Sequence, residues 1–193
     1  MEELKVGQVI ISKQGEDSDN YKKFKEIVKK KKIRVQIVNK GDKLNIEKDL
    51  YIKILWPNSS NFITENVLNN NSIVCKLYYK NFSMLFTGDI EERAEKEILK
   101  EYKNNLNILN STVLKIAHHG SKTSSSQDFL QNVKPKITLI GVGKDNNFGH
   151  PNKEVLKRIE NIESKTYRTD ESGEISIIID EKGGLKIKRR VEK

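Results

Sequence analysis

The spacing of apolar residues divides the chain into short strands and helices. Apolar or alternating runs predict ten strands, at 6–11, 34–38, 50–55, 73–79, 82–86, 113–116, 137–142, 164–168, 175–179 and 185–187. Apolar residues three or four positions apart predict four helices, whose apolar faces include Tyr21, Ile98, Phe129 and Val155. Pro151 is expected in the first turn of the last helix. Because strands alternate with helices and a hairpin is predicted at 80–81, the pattern predicts an α/β layered domain.

One domain is expected, because 193 residues are close to the usual size of about 150 per domain and no linker interrupts the pattern. It spans 1–193, with a charged tail at 181–193 that is expected to fray. No apolar run approaches the roughly 18 residues that a membrane span needs. The first residues lack the basic start and apolar middle of a signal peptide. The chain by itself is therefore expected to be cytoplasmic.

Composition adds a preference for acidic partners. Charged residues make up 33% of the chain, against about 25% in a typical protein, and the formal net charge is +9. The single cysteine, Cys75, excludes an intramolecular disulfide and a cysteine-rich zinc site. Its apolar neighbours indicate a buried thiol rather than a nucleophile.

Positive charge is concentrated at residues 20–34, where eight lysines and arginines face one acidic residue, Glu26. A solvated helix end is the favoured interpretation, and a phosphate-binding stripe is the alternative. The aromatic residues here, Tyr21 and Phe24, are both needed for the apolar face of the helix. Any binding of single-stranded DNA to this segment should therefore be nonspecific in sequence, sensitive to salt and free of base stacking.

The residues that could do chemistry follow predicted strands. Asp89 stands at a strand end, where its carboxylate suits a metal ion or, equally, caps the next helix. His118 and His119 follow another strand and suit either a zinc-type ligand or a polar turn. His150 lies in a third loop of the same kind. Because sites in layered α/β sheets form at this edge, the histidines are expected to share one cleft.

Four strings of residues resemble motifs of a known protein family. They are Leu-Phe-Thr-Gly-Asp-Ile-Glu at 85–91, Leu-Lys-Ile-Ala-His-His-Gly-Ser-Lys-Thr-Ser at 114–124, Gly-His-Pro at 149–151, and Tyr-Arg-Thr-Asp at 167–170 with Gly173. Over residues 6–180 the chain resembles the metallo-β-lactamase-like domain at the C-terminus of ComEC competence proteins, which are DNA-uptake channels of naturally transformable bacteria. The resemblance implies a metallo-β-lactamase-like αββα sandwich.

The resemblance also implies roles for residues. Asp89 would be a bridging metal carboxylate, and one of His118 and His119 a metal ligand, with the choice between them left open. His150 would be a ligand or a contact to the phosphate or leaving group. Ser121 and Lys122 are candidates for holding a phosphate. The cofactor would be zinc or manganese, and the activity that of a metal-dependent nuclease or phosphodiesterase acting on the DNA strand that is not imported.

One departure from the family is large. Its first metal motif, His-x-His-x-Asp-His or a variant with Asp in place of the second His, is missing, and no histidine precedes His118. The early carboxylates Glu16, Asp17 and Asp19 are expected to cap the first helix instead. The chain thus resembles the downstream portion of the domain, and the sandwich is expected to be incomplete at its N-terminal side.

Three expectations follow from this departure. A sheet edge or face without its usual cover favours self-association. As part of a ComEC channel the domain would lie on the outer face of the cell membrane, which it would reach only through segments of the parent protein. Two functions stay open: a hydrolase domain of a DNA-uptake protein, or a catalytically impaired remnant that binds nucleic acid or protein.

Overall fold

The computed structural model describes residues 4–13 and 18–190. The strands are β1 (Gln8–Ser12), β2 (Arg34–Val38), β3 (Lys43–Glu47), β4 (Leu50–Trp56), β5 (Val74–Tyr79), β6 (Phe82–Phe86), β7 (Val113–Lys115), β8 (Ile137–Ile140), β9 (Lys165–Arg168), β10 (Glu174–Ile179) and β11 (Leu185–Arg190). The helices are α1 (Asp19–Lys30), α2 (Val67–Asn70), α3 (Glu92–Glu101), α4 (Gln127–Val133), α5 (Lys153–Glu160) and α6 (Thr169–Ser172). No helix in the described ranges is long and apolar enough to cross a membrane.

Seven strands form one mixed sheet in the order β3-β4-β5-β6-β7-β8-β9. Neighbours from β3 to β6 are antiparallel, and neighbours from β6 to β9 are parallel. Two smaller sheets accompany it, a parallel pair of β1 and β2 and an antiparallel pair of β10 and β11. Helices connect the parallel strands, as such connections require. The α/β class predicted from the sequence is confirmed.

The predicted strands recur in the structure, and so does the hairpin at 80–81 between β5 and β6. β3 was not predicted, because its residues are mostly polar, as is common at a sheet edge. β11 extends to Arg190 and pairs with β10, although the tail from 181 was expected to fray. Pro151 is not in the first turn of α5, because Asn152 caps this helix and accepts the backbone N–H of Glu154.

Ser18 caps the N-terminus of helix α1. The side chain of Ser18 accepts the backbone N–H of Tyr21, and Asp19 lies in the first turn. Glu16 and Asp17, which were also expected to cap this helix, lie outside the described residues. No side chain of α1 is buried, so its lysines lie on a solvated helix.

One face of the large sheet packs against α3, α4 and α5. The sheet contributes Leu55, Val74, Leu85, Leu114 and Ile140 to this core, and the helices contribute Ala94, Ile98, Phe129, Leu130, Val155 and Ile159. Each of these side chains is at most 2% exposed. The cluster fixes β6, β7 and β8 and thereby the loops that follow them.

The opposite face of the sheet is covered less completely. Ile177 and Ile179 of the β10–β11 hairpin and Leu77, Phe82 and Met84 of the sheet line one cavity of about 420 Å³. Cys75, on the same face, is unpaired and half-buried, and burial raises the pKa of its thiol to about 11. This is the inert thiol that its neighbours indicated.

A lysine lies inside the helix-covered face. Lys76 is 4% exposed, and its Nζ donates to the carbonyls of Ile108 and Asn110 ahead of β7. Lys53 lies directly opposite it on β4. Burial, and secondly the charge of Lys53, lower the pKa of Lys76 to about 8.

Replacing Lys76 should change how stability depends on pH. Because the pKa of Lys76 falls from 10.5 to about 8 on folding, the unfolded chain binds more protons between these values. The free energy of unfolding should therefore rise with pH across this window, by about 2–3 kcal/mol more in the wild type than in Lys76→Met. Urea unfolding at both ends of the window measures this, with exposed Lys43→Met as the control. Parallel pH profiles of wild type and Lys76→Met would contradict the assignment.

Candidate functional site

Three loops meet at one edge of the sheet because β6, β7 and β8 are parallel neighbours. We call them the aspartate loop (residues 87–91), the double-histidine loop (117–126) and the GHP loop (141–151). Each follows the carboxyl end of its strand, where ligand sites form in α/β sheets. The sequence placed its candidate residues on these same three loops.

Side chains and backbone tie the aspartate loop to its neighbours. The hydroxyl of buried Thr87 donates to the Lys115 carbonyl at 2.6 Å, and the Gly88 carbonyl accepts the His118 N–H at 3.0 Å. Gly88 has a φ of +54°, and a Cβ there would lie 2.8 Å from Cβ of Ser72. Only glycine fits without displacing Ser72. Asp89 is thus held, half-buried, beside the backbone of the double-histidine loop.

The double-histidine loop has a strained backbone. His118 and His119 both have positive φ values, +47° and +56°, which non-glycine residues rarely adopt. Such strain often marks functional loops. The two rings differ in environment: Nδ1 of His118 is buried without a hydrogen-bond partner, whereas His119 is exposed and its Nδ1 lies 2.6 Å from the Gly141 carbonyl. Within the pair, His118 is therefore the ring that turns inward.

The GHP loop is organised by one side chain. Asn146 donates to the carbonyls of Gly143 and His150, and its Oδ1 accepts the backbone N–H groups of Phe148 and His150. The His150 ring lies 5.9 Å from the His118 ring between centroids, edge to face, and its Nδ1 is likewise buried without a partner. Burial, and then the charges of His118 and His119, lower the pKa of His150.

Gly120 brings the two histidine loops into direct contact. Its φ is +82°, and a Cβ at this position would lie 2.7 Å from Cβ of Pro151. The Gly120 carbonyl also accepts the backbone N–H of Asn152, the cap of α5, at 2.8 Å. The separation of His118 and His150 therefore depends on the absence of a side chain at position 120.

The second half of the double-histidine loop is held from both sides. Glu95 on α3 is fully buried, and its carboxylate accepts the backbone N–H groups of Ser125 and Ser126. Burial raises the pKa of Glu95, and the hydrogen bonds from these serines oppose the shift. From α5, the Arg158 guanidinium donates to the carbonyls of Ser124 and Ser125 at 3.1 and 3.0 Å. The loop conformation is thus fixed by charged groups on two helices.

Ser121 and Lys122, the predicted phosphate contacts, differ in accessibility. Ser121 is 6% exposed, and its hydroxyl lies 3.1 Å from the hydroxyl of Thr123 within the same loop. Lys122 is exposed. Ser121 therefore shapes the loop, and Lys122 is free to reach an anion.

Two residues near the site, Glu91 and Lys115, had no role assigned from the sequence. Oε1 of Glu91 lies 3.9 Å from Nδ1 of His118 and accepts the hydroxyl of Thr123 at 3.0 Å. Burial lowers the pKa of Lys115, and the negative charge of nearby Asp89 partly opposes this shift. Glu91 follows Asp89 by two positions, but a carboxylate is also common at the start of a helix such as α3. The spacing alone therefore did not indicate a role in the site.

The donor set fits a metal ion only in part. The buried, unpartnered Nδ1 atoms of His118 and His150 are suitable ligands, and Asp89 stands on the adjacent loop. Nevertheless, residues 4–13 and 18–190 contain no group of three or more His, Cys, Asp and Glu side chains placed to hold a metal. The chain has no histidine besides His118, His119 and His150.

Comparison with known proteins gives the family. The chain is 31% identical over 171 residues to ComE operon protein 3 of Bacillus subtilis (strain 168), a match that covers 89% of this chain and 21% of that protein. The chain is homologous to part of the ComEC-family competence proteins. Competence protein ComA of Neisseria gonorrhoeae is 35% identical over 121 residues, covering 63% of this chain and 17% of ComA. Recombination protein 2 of Haemophilus influenzae is 29% identical over 128 residues, covering 66% of this chain and 15% of that protein.

The ComEC-family relatives are much longer than the matching segment. The chain spans about a fifth of the length of ComE operon protein 3. No family model matches the chain. The homology confirms the ComEC resemblance found in the sequence, while the roles of Asp89, His118, His119, His150, Ser121 and Lys122 stay predictions.

Gly120→Ala should separate the two histidine loops. The strained φ and the clash with Pro151 should together lower the free energy of unfolding by about 2–3 kcal/mol. Gly143→Ala is the matched control, because a Cβ there meets nothing within 4 Å and its effect should stay within about 0.5 kcal/mol. Urea unfolding compares the two variants. Equal effects would show that the contact at Gly120 is not a constraint.

Glu95→Gln should loosen the loop after the histidines. Glutamine retains one acceptor oxygen, but its amide group would face a backbone N–H, which should cost about 1–3 kcal/mol. Amide hydrogen exchange at Ser125 and Ser126 should accelerate, whereas Glu92→Gln at an exposed position of α3 should leave it unchanged. If exchange at both serines is as slow in Glu95→Gln as in the wild type, the carboxylate does not hold the loop.

Proposed function

We propose that this chain carries part of the active site of a metal-dependent hydrolase that cleaves nucleic-acid phosphodiesters in DNA uptake. The observation that carries the proposal is the pair of buried, unpartnered imidazole nitrogens on His118 and His150, whose rings lie 5.9 Å apart. Buried polar atoms in folded proteins usually have a partner, so an orphaned pair indicates a ligand. The homology to competence proteins supports the choice of nucleic acid.

Each residue of the candidate site would have a distinct role in metal binding and hydrolysis. Asp89 would hold a metal through its carboxylate. Of the adjacent pair, His118 would be the imidazole ligand, because its Nδ1 is buried and unpartnered, whereas Nδ1 of His119 lies 2.6 Å from the Gly141 carbonyl. His150 would be a further ligand or would contact the phosphate. A bound zinc or manganese ion would lower the pKa of a water molecule and stabilise the developing phosphoryl charge.

Other residues would support these groups. The Glu91 carboxylate, whose Oε1 lies 3.9 Å from Nδ1 of His118, would add negative charge beside a bound metal ion. Exposed Lys122 would attract the phosphate to the rim of the site. Ser121 would act through the shape of the loop, because its hydroxyl is engaged with Thr123.

We also propose that the large sheet is one of the two sheets of a metallo-β-lactamase-like αββα sandwich. Helices α3, α4 and α5 cover one face of this sheet, as an outer layer would. The other face carries half-buried apolar side chains, among them Ile52, Leu77 and Met84, as a face that meets a second sheet would. Self-association of this chain through that face stays part of the proposal.

A second candidate function is supported by the incomplete donor set. In the part of the chain that the structure describes, no three metal-ligating side chains gather. Under this second function, the chain would bind nucleic acid or protein without catalysing hydrolysis. The solvated lysines of α1 would supply affinity for phosphates that weakens as salt is added.

Metal content and turnover test the proposal together. Zinc and manganese are measured by elemental analysis, and hydrolysis of single-stranded DNA and of a small phosphodiester is followed. Both assays use the 193-residue chain and a version preceded by the family's first metal motif. The chain alone should hold at most one ion, loosely, with occupancy that falls as acid protonates imidazole. The extended version should approach ordinary turnover numbers of roughly 1–10³ per second.

Substitutions identify the ligands. Asp89→Asn and His118→Ala should abolish metal binding, whereas Asp145→Asn, at an exposed carboxylate of the GHP loop, should leave it intact. Metal retention in Asp89→Asn would contradict the assignment. Two ions and full turnover in the chain alone would contradict the incomplete site. If neither version hydrolyses but both bind DNA with a salt-dependent affinity, the second candidate function is correct.

A further inference from the structure

Phe148 exposes an aromatic ring beside the candidate site. It is 81% exposed, more than any other large apolar side chain that the structure describes. The centroids of the Phe148 and His150 rings lie 6.0 Å apart, and the two planes differ by 23°. The ring thus lies roughly parallel to an imidazole of the candidate site and presents its remaining surface to solvent.

Exposure alone says little, since single apolar residues are common on protein surfaces. The backbone around Phe148, however, is held in place. Oδ1 of Asn146 accepts the Phe148 N–H at 3.2 Å and the His150 N–H at 3.1 Å, and the Asn146 amide group closes the loop onto the carbonyls of Gly143 and His150. The exposed ring is therefore presented by an ordered turn.

The space around this turn is open. A Cβ built on Gly149 or on Gly143 meets no atom within 4 Å, so the loop is uncrowded at these two positions. A flat group could lie on the outer face of the ring while the atoms attached to it extend toward His150 and His118. A nucleotide has this arrangement, because its flat base is joined through the sugar to a phosphate.

We propose that Phe148 is a stacking platform for an unpaired nucleobase. In a duplex the faces of the bases are occupied by their neighbours, whereas an unpaired base is free to stack on an aromatic side chain. The position of the phosphate rests on the proposed function, but the stacking contact does not require the metal. It is also separate from the basic helix α1, whose aromatics were not expected to stack.

The experiment measures binding in the presence of a metal chelator. Fluorescence anisotropy compares a labelled oligothymidine with an abasic oligonucleotide of the same length and with a duplex. The wild type should bind oligothymidine more tightly than either. Phe148→Leu should weaken oligothymidine binding roughly 5- to 100-fold, the range that loss of one stacked base gives, and leave abasic binding and the salt dependence unchanged.

Two controls separate stacking from folding. Phe148→Trp keeps a large aromatic face and should bind oligothymidine at least as tightly as the wild type. Phe62→Leu removes a phenyl ring that is 43% exposed beside Pro57 and Asn58, and it should have no effect. Circular dichroism confirms that each variant is folded.

Three outcomes would overturn the proposal. They are unchanged oligothymidine binding in Phe148→Leu, an equal loss for abasic and thymidine strands, and duplex binding as tight as single-strand binding in the wild type. Because the chelator is present throughout, failure of the metal proposal cannot produce any of them. Elemental analysis of the same preparations tests the metal separately.

Discussion

The close contact between Gly120 and Pro151 is the constraint on which the candidate site depends. Three parallel strands deliver three loops to one sheet edge, but this topology does not set how near their side chains come. The missing Cβ at position 120 lets the double-histidine loop touch the GHP loop, where an added Cβ would lie 2.7 Å from Pro151. His118 and His150 face each other because the backbones behind them are in contact.

Around this contact, side chains bind backbone where strand pairing cannot. Glu95 and Arg158 hold the loop after the histidines by its N–H and carbonyl groups, Asn146 closes the GHP loop, and Thr87 joins the ends of β6 and β7. Burying the Glu95 carboxylate is costly, and its hydrogen bonds offset that cost only while the loop keeps this conformation. The candidate site is therefore held in place before any ligand binds, as precise chemistry requires.

The sequence predicted what periodicity and topology control. Apolar runs located the central strands, and the position of each histidine after a strand predicted their common edge. Strand β3 was not predicted, because an edge strand needs few apolar residues. The inward turn of His118, the approach of Glu91 and the ordered exposure of Phe148 depend on individual hydrogen bonds and on the φ angles of single residues, and these leave no periodic trace. Whether the sheet belongs to a two-sheet sandwich depends in the same way on contacts that no local pattern specifies.

We propose that His118 and His150, and not His119, form one ligand-binding unit with Asp89. Nitrogen-15 NMR of the three imidazole side chains during a zinc titration tests it most directly, because each histidine gives its own signals. Zinc should shift the signals of His118 and His150 together and leave those of His119 in place, and Asp89→Asn should abolish the response. A response at His119, or a response of His118 that leaves His150 unchanged, would contradict the claim.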